Sequence, residues 1–260
     1  MQVALIPPLS MLYTTQETNM QLLLPALFAS EEYAAHAYIA AAEGNFCILD
    51  NGIAEGDVTH PEVLIALAKE FKCNEVVVPD VMGDMLATIT AIDDFAPYAL
   101  AHPTAHYMAV LQGQTVEECL MVARHVAATA PWVSTLGIPR HLVRTTGIRD
   151  VRIMIVMQLD ETKLCEDKAI HFLGTAPTWP EEIKFANMCY YGRIRSVDTS
   201  LPYNYTWAKE LLHNSNMHGN VQVARPQGYF EMSEFAFDVP MMHSNIKVLL
   251  DWANYGTHSE

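Results

Sequence analysis

The run Arg193-Ile-Arg-Ser-Val-Asp-Thr-Ser200 reads as a strand that hands a carboxylate to a loop. Ile194 and Val197 lead into Asp198, Thr199 and Ser200 open the loop, and Pro202 prevents simple continuation of the strand. A lone aspartate in such a place reads as an Asx turn or a helix N-cap. Asp198 has company. Phe46-Cys-Ile-Leu-Asp-Asn-Gly52 and Glu75-Val-Val-Val-Pro-Asp80 end in the same way, at Asp50 and Asp80. A carboxylate at a strand's end costs desolvation energy unless it is paired or used, so three on one rim form an active-site pattern.

Working outward, eight apolar runs recur: Leu5–Ser10, Gln21–Phe28, Phe46–Asp50, Glu75–Asp80, Tyr107–Gly113, Trp132–Ile138, Ala169–Gly174 and Ile194–Asp198. Continuous apolar runs suit strands buried on both faces, as in a parallel sheet. Helix signals fall between them. Thr59 with Glu62, Thr115 with Glu118 and Thr178 with Glu181 have capping-box spacing, and Pro61 and Pro180 sit in first turns. Thr115–Thr129 carries a buried helical face. Eight such cycles in about 200 residues predict an α/β protein of the (β/α)8, or TIM-barrel, kind. Met11–Met20 is too short for a full crossover helix, and 139–168 is the longest insertion, with a helix near Asp150–Leu159. Helices are also expected over Tyr203–His213 and Asn245–Tyr255, separated by a polar loop, Asn214–Asn220, and a β-like stretch, Val221–Ala224. A single domain over 1–260 is expected, with the barrel at about 5–213 and a capping segment at about 214–260.

Composition narrows the function classes. Half the residues are hydrophobic (51%), enough for a substantial core, yet no run of about 18 apolar residues exists to span a membrane. The start lacks a basic region and is broken by Pro7 and Pro8, unlike a signal peptide. The five cysteines, 47, 73, 119, 165 and 189, are odd in number and form no CxxC, so they read as reduced core thiols of a cytoplasmic protein. Net charge is −15, which opposes polyanion binding unless cations are gathered locally. Arg140, His141, Arg144, Arg149 and Arg152 are the densest such group. They read either as a solvated helix face or as a phosphate-contacting strip.

A barrel does its chemistry at the C-terminal ends of its strands. Those ends supply Asp50, Asp80, Gln112-Gly113, Gly137-Ile138, Leu173-Gly174 and Asp198. No strand ends in lysine, which removes the Schiff-base reading, and no His or Cys cluster suits a metal. The histidines are taken as structural or surface residues. Carboxylates, one amide and glycine backbone suit a planar heterocycle bearing several donors and one carbonyl.

This ordered series, Leu-Asp50-Asn-Gly52, Pro-Asp80, Gln112-Gly113, Gly137-Ile138, Leu173-Gly174 and Val-Asp198-Thr-Ser, resembles the tRNA-guanine transglycosylase superfamily over about 150 residues. The resemblance implies a barrel that exchanges guanine in a nucleic acid for a 7-deazaguanine, with no cofactor or metal. It implies Asp198 as nucleophile and Asp50 as general acid/base. Asp80, Gln112 and Gly137, with neighbouring Gly113, Ile138 and Gly174, would hold the base, and Leu173 would lie against its face. Two departures stand out. Ile53-Ala54 replaces the aromatic residue that follows the first aspartate in the family, and the family's zinc subdomain has no cysteines after Cys189 to form it. That is closer to the DNA-modifying branch of phages and bacterial genomic islands. The implied partners are DNA, or alternatively tRNA, and a free 7-deazaguanine base such as preQ0. Arg140, Arg144 and Arg149 would contact the nucleic-acid backbone. The setting would be the host cytoplasm for a phage protein, with no membrane partner, and the sequence leaves a homodimer open. Retention at C1′ needs two displacements, hence a nucleophilic carboxylate and a second one to manage protons. An N-glycosidase, a non-catalytic barrel subunit and an unrelated barrel whose rim aspartates cap helices are the competing readings.

Overall fold

The computed structural model describes residues 1–56, 59–176, 179–189, 193–212 and 223–254. Eight parallel strands close into one barrel: β1 (Gln2–Leu5), β2 (Met20–Leu23), β3 (Phe46–Leu49), β4 (Glu75–Val77), β5 (His106–Val110), β6 (Thr135–Pro139), β7 (Ala169–Leu173) and β8 (Ile194–Thr199). β8 pairs back onto β1, with Ala4 opposite Asp198. Around them lie α1 (Glu31–Ala42), α2 (Pro61–Glu70), α3 (Met85–Ala101), α4 (Val116–Thr129), α5 (His141–Thr146), α6 (Val151–Glu161), α7 (Trp179–Cys189), α8 (Leu201–Trp207) and α9 (Val239–Ala253). The expected (β/α)8 barrel is the fold.

Strand alternation divides the core in two. Leu5, Leu49, Val76, Ile138 and Phe172 point outward and pack with helix residues such as Leu64, Ile92, Val122 and Val156. Ala4, Met20, Leu22, Ile48, Val77, Met108 and Val110 point inward and form a separate cluster inside the barrel. Each large side chain so buried contributes about 1.5–3 kcal/mol. Between β7 and β8 the register slips: Ile170 faces Ile194, but His171 faces Ser196. Arg195 is therefore the extra residue of a bulge, a device that re-aims side chains. Beyond it, Ser196 pairs with His171.

The C-terminal part crosses the barrel mouth and then flanks its wall. Tyr229 Oη donates to Ile6 O at 2.5 Å, and Ser10 Oγ to Met232 O at 2.8 Å. Phe230 packs on the upper end of the inner cluster, and Arg225 pairs with Glu55 at 3.2 Å. α9 then packs on α7 and α8, where Asn187 Nδ2 donates to Ala253 O at 2.8 Å.

Several boundaries differ from expectation. β1 lies over Gln2–Leu5 rather than Leu5–Ser10, because Pro7 and Pro8 lack the N–H that a ladder needs. β2 stops at Leu23, and Pro25 opens a 3-10 turn, Pro25–Ala29. A second 3-10 helix, Leu9–Glu17, makes the short link from β1 to β2. Thr59 does not cap α2; His60 holds the N-cap position without a side-chain bond. Thr115 does cap α4, accepting from Glu118 N at 3.2 Å, while Glu118 turns back to Gln114 N rather than to Thr115 N. α8 starts at Leu201, two residues early, because Pro202 fits a helix's first turn. α9 starts at Val239, capped by Asp238. Thr178, the Asn214–Asn220 loop and Val221–Gln222 of the β-like stretch lie outside the described residues. Among the described residues no helix is long and apolar enough to cross a membrane.

Candidate functional site

The C-terminal mouth gathers the strand-end residues. Asp50 continues the inward face of β3 (Phe46, Ile48), and Gln112 that of β5 (Met108, Val110). On β8, Asp198 shares an inward face with Ser196. Asp50, Asp80, Gln112 and Asp198 are all at least nine-tenths buried. Burial of this kind holds a carboxylate only where donors or protons come with it.

Asp198 has its donors. Its Oδ1 accepts from His171 Nε2 at 3.0 Å and from the Gly174 N–H at 2.9 Å. Among the described residues Oδ2 accepts no hydrogen bond. Gly174 adopts φ +68°, a left-handed conformation that suits glycine and turns its N–H toward the aspartate.

Asp50 is differently placed. Among the described residues its carboxylate accepts one hydrogen bond, from the Gly52 N–H to Oδ2 at 3.1 Å. Burial, reinforced by Glu55 and then by Asp198 and Asp80, pushes its carboxyl up to about 7, against the pull of that single bond. Near neutral pH it therefore holds a proton part of the time.

Asp80 is gripped by two amides. Asn51 Nδ2 donates to Oδ1 at 2.5 Å, and Gln112 Nε2 donates to Oδ2. Burial raises the Asp80 carboxyl, and these two bonds oppose the rise. Asn51 is itself fixed by Val78 O at 2.9 Å and by Ile53 N at 3.0 Å. Gln112 Oε1 accepts from Gly83 N at 2.9 Å, so Nε2 keeps one further proton for a ligand's carbonyl.

The glycines differ in purpose. A methyl on Gly137 would come within 2.9 Å of Leu173 Cδ1 and 3.1 Å of Met108 Sδ, so its absence lets Leu173 lie over the neighbouring strand β6. A methyl on Gly113 would meet Glu118 Cβ at 2.7 Å, which is a packing requirement of α4. Ile138 points outward into the helix layer and offers the mouth only backbone.

The basic segment separates into two parts. Arg140, Arg144 and Arg149 are exposed, and Arg149 stands 4.0 Å from Glu181. Arg140 leans over Gly174, within electrostatic reach of Asp198, Arg144 and Arg225. Arg152 does not belong to the strip. It is fully buried, bidentate to Glu182, and donates to Gly174 O at 2.7 Å, holding the β7 loop in place. Its partner lies 30 residues away, which the local spacing could not reveal.

Three residues at the site escaped the sequence reading: His171, Ser196 and Asn51. Inward alternation was the available signal, since His171 stands two before Leu173 and Ser196 two before Asp198. Among the described residues no cluster of three His, Cys, Asp or Glu side chains is placed to hold a metal. Neither a family model nor a curated protein matches the chain.

Proposed function

We propose that the chain is a transglycosylase that exchanges guanine in DNA for a 7-deazaguanine base. The observation that carries this reading is the pairing of two unlike carboxylates at one mouth. Asp198 is held through Oδ1 while Oδ2 accepts no hydrogen bond among the described residues, and Asp50 is raised to about 7 so that it can give and take a proton. Asp198 Oδ2 attacks C1′ of the target nucleotide, the bond to guanine breaks, and the Asp50 proton passes to the departing base. The incoming 7-deazaguanine then loses its N9 proton to the Asp50 carboxylate. Its N9 attacks C1′ and frees Asp198, so two inversions give retention.

Asp80 and the spare Gln112 Nε2 proton suit the donor edge and the carbonyl of a guanine-type ring, and Leu173 offers an apolar face beside Gly137. A stacked base cannot enter a barrel mouth, so the substrate must be flipped out or single-stranded. Arg140 lies over Gly174 within electrostatic reach of both Asp198 and Arg225, a local gathering of cations on a chain of net charge −15 that supports a phosphodiester substrate held there.

The test is incubation with DNA or tRNA and a labelled 7-deazaguanine base, followed by mass spectrometry of the nucleosides. Label is expected in DNA, together with a denaturant-stable protein–DNA adduct that Asp198→Asn abolishes. Label in tRNA alone would move the substrate class, and label in neither, or full activity of Asp198→Asn, would overturn the reaction.

A further inference from the structure

We infer that His171 is a positioning residue, locked as the neutral Nε2–H tautomer by a one-way chain of hydrogen bonds that rises through the barrel from the Glu75–Arg195 ion pair to Asp198. Asp198's role as nucleophile rests on the function proposed above; the chain of donors does not.

The direction follows from which groups can only donate. Arg195 has no acceptor, so its Nε–H, 3.1 Å from Ser196 Oγ, must donate there. Ser196 thereby spends one lone pair and keeps its single proton. His171 Nδ1 lies 2.7 Å from the same oxygen, and His171 Nε2 lies 3.0 Å from Asp198 Oδ1. A neutral ring carrying its proton on Nδ1 would set the Nε2 lone pair against a carboxylate. A doubly protonated ring would donate at Nδ1 as well, leaving Ser196 Oγ with two donors and its own buried proton without an acceptor among the described residues. The remaining arrangement has Ser196 donating to Nδ1 and Nε2–H donating to Asp198.

The lower end is equally fixed. Arg195 Nη2 and Nη1 donate to Glu75 Oε2 and Oε1 at 2.6 and 3.2 Å, and Thr135 Oγ1 donates to Glu75 Oε1 at 2.5 Å. Glu75, Thr135, His171 and Ser196 are essentially without solvent exposure, and the half-buried Arg195 is fixed by its two bonds to Glu75. The β8 bulge makes it geometrically available, because it brings Ser196 opposite His171. Barrel interiors are filled mostly by bulky apolar residues, and this column is a departure from that rule. Its product is an aspartate held by one oxygen with the other presented to the mouth.

The test uses the full-length protein with two readouts. First, 15N shifts of the His171 ring are expected to show a protonated Nε2 and an unprotonated Nδ1, a pattern that Ser196→Ala, which removes the donor to Nδ1, is expected to loosen into a mixture of tautomers. Second, His171→Leu is expected to slow glycosyl-adduct formation by about 10²-fold, the loss expected when a reacting group is misplaced by about 1 Å. Nucleic-acid affinity should stay unchanged, and His171→Gln, whose amide N–H can replace Nε2–H, should restore the greater part of the rate. If His171→Leu does not fold, the gap between His171→Gln and Ser196→Ala serves instead, with Gln the faster. A protonated Nδ1, a doubly protonated ring, or equal rates for Leu and Gln would overturn the inference. A wild-type protein that forms no adduct would overturn the transglycosylase reading and leave the ring shifts to decide this one.

Discussion

The two sides of the barrel lumen are built from opposite materials. Under Asp50 lies an apolar stack, Ile48 with Met20, Leu22, Val77 and Met108. Under Asp198 lies the polar column of His171, Ser196, Arg195 and Glu75. Both aspartates stand at a strand's inward end with nearly equal exposure, 7% and 6%, so burial alone does not distinguish them. What distinguishes them is the layer beneath. Among the described residues the apolar side offers Asp50 no side-chain donor, and burial, reinforced by Glu55, lifts its carboxyl to about 7. The polar side gives Asp198 an imidazole and a backbone N–H. One fold thereby makes two carboxylates of different character from the same strand-end motif.

The severest way to break this contrast is to cut the polar column at its base. Arg195→Leu leaves Glu75 fully buried with, among the described residues, Thr135 alone to bond its side chain, and loss of one partner of a buried pair costs about 3–5 kcal/mol. Urea unfolding measures this, and a loss under 1 kcal/mol would mean that the column is not structurally coupled.

Asp50 provides the next test, through pH. Its folded value, about 7, lies above the ordinary 3.8, so the folded state holds the proton more tightly than the unfolded chain. The resulting stability is complete below about pH 4 and is lost as pH rises through about 7. Across that window wild type should lose on the order of 4 kcal/mol relative to Asp50→Asn, which has no proton to release. Parallel stability–pH curves for the two proteins would remove the apolar side's claim to set the Asp50 proton.

The same contrast explains what the sequence could and could not disclose. The strands under both aspartates were legible because continuous Val, Ile and Leu runs need two buried faces, and the rim followed from where those runs ended. The polar column was not legible. His171 and Ser196 sit inside apolar runs as isolated polar residues, and only inward alternation on two strands, plus a bulge at Arg195, brings them together. Pairings across long separations failed for the same reason. Arg152 looked like one of five clustered cations, yet Glu182 and the carbonyls of the β7 loop bury it. β1 lies earlier than its apolar run suggests, because the run continues past the strand into Pro7 and Pro8, which cannot join a ladder.

The apolar side should bear damage without chemical consequence. Met20→Ala opens a cavity within the inner cluster and is expected to cost about 2–4 kcal/mol. The rate of adduct formation on Asp198, measured well below the melting temperature, should stay within about twofold of wild type, since separated sites act independently. A large rate loss would show that the two halves of the lumen are one mechanical unit.

Gly174 gives the smallest effect and the sharpest separation, because it touches the polar side from above. Its φ of +68° is costly for alanine, by roughly 1–2 kcal/mol. The added methyl would lie 2.7 Å from Arg140 Cδ, the flexible end of a side chain that can swing aside. Its N–H, which supports Asp198, would remain. Gly174→Ala should therefore lower stability slightly, keep adduct formation at saturating substrate near wild type, and weaken nucleic-acid binding by displacing the Arg140 guanidinium. A shallower dependence of affinity on salt is the expected sign that a phosphate contact has gone. If affinity and salt slope are unchanged while the saturated rate falls, the glycine serves Asp198 alone and Arg140 has no hold on the substrate.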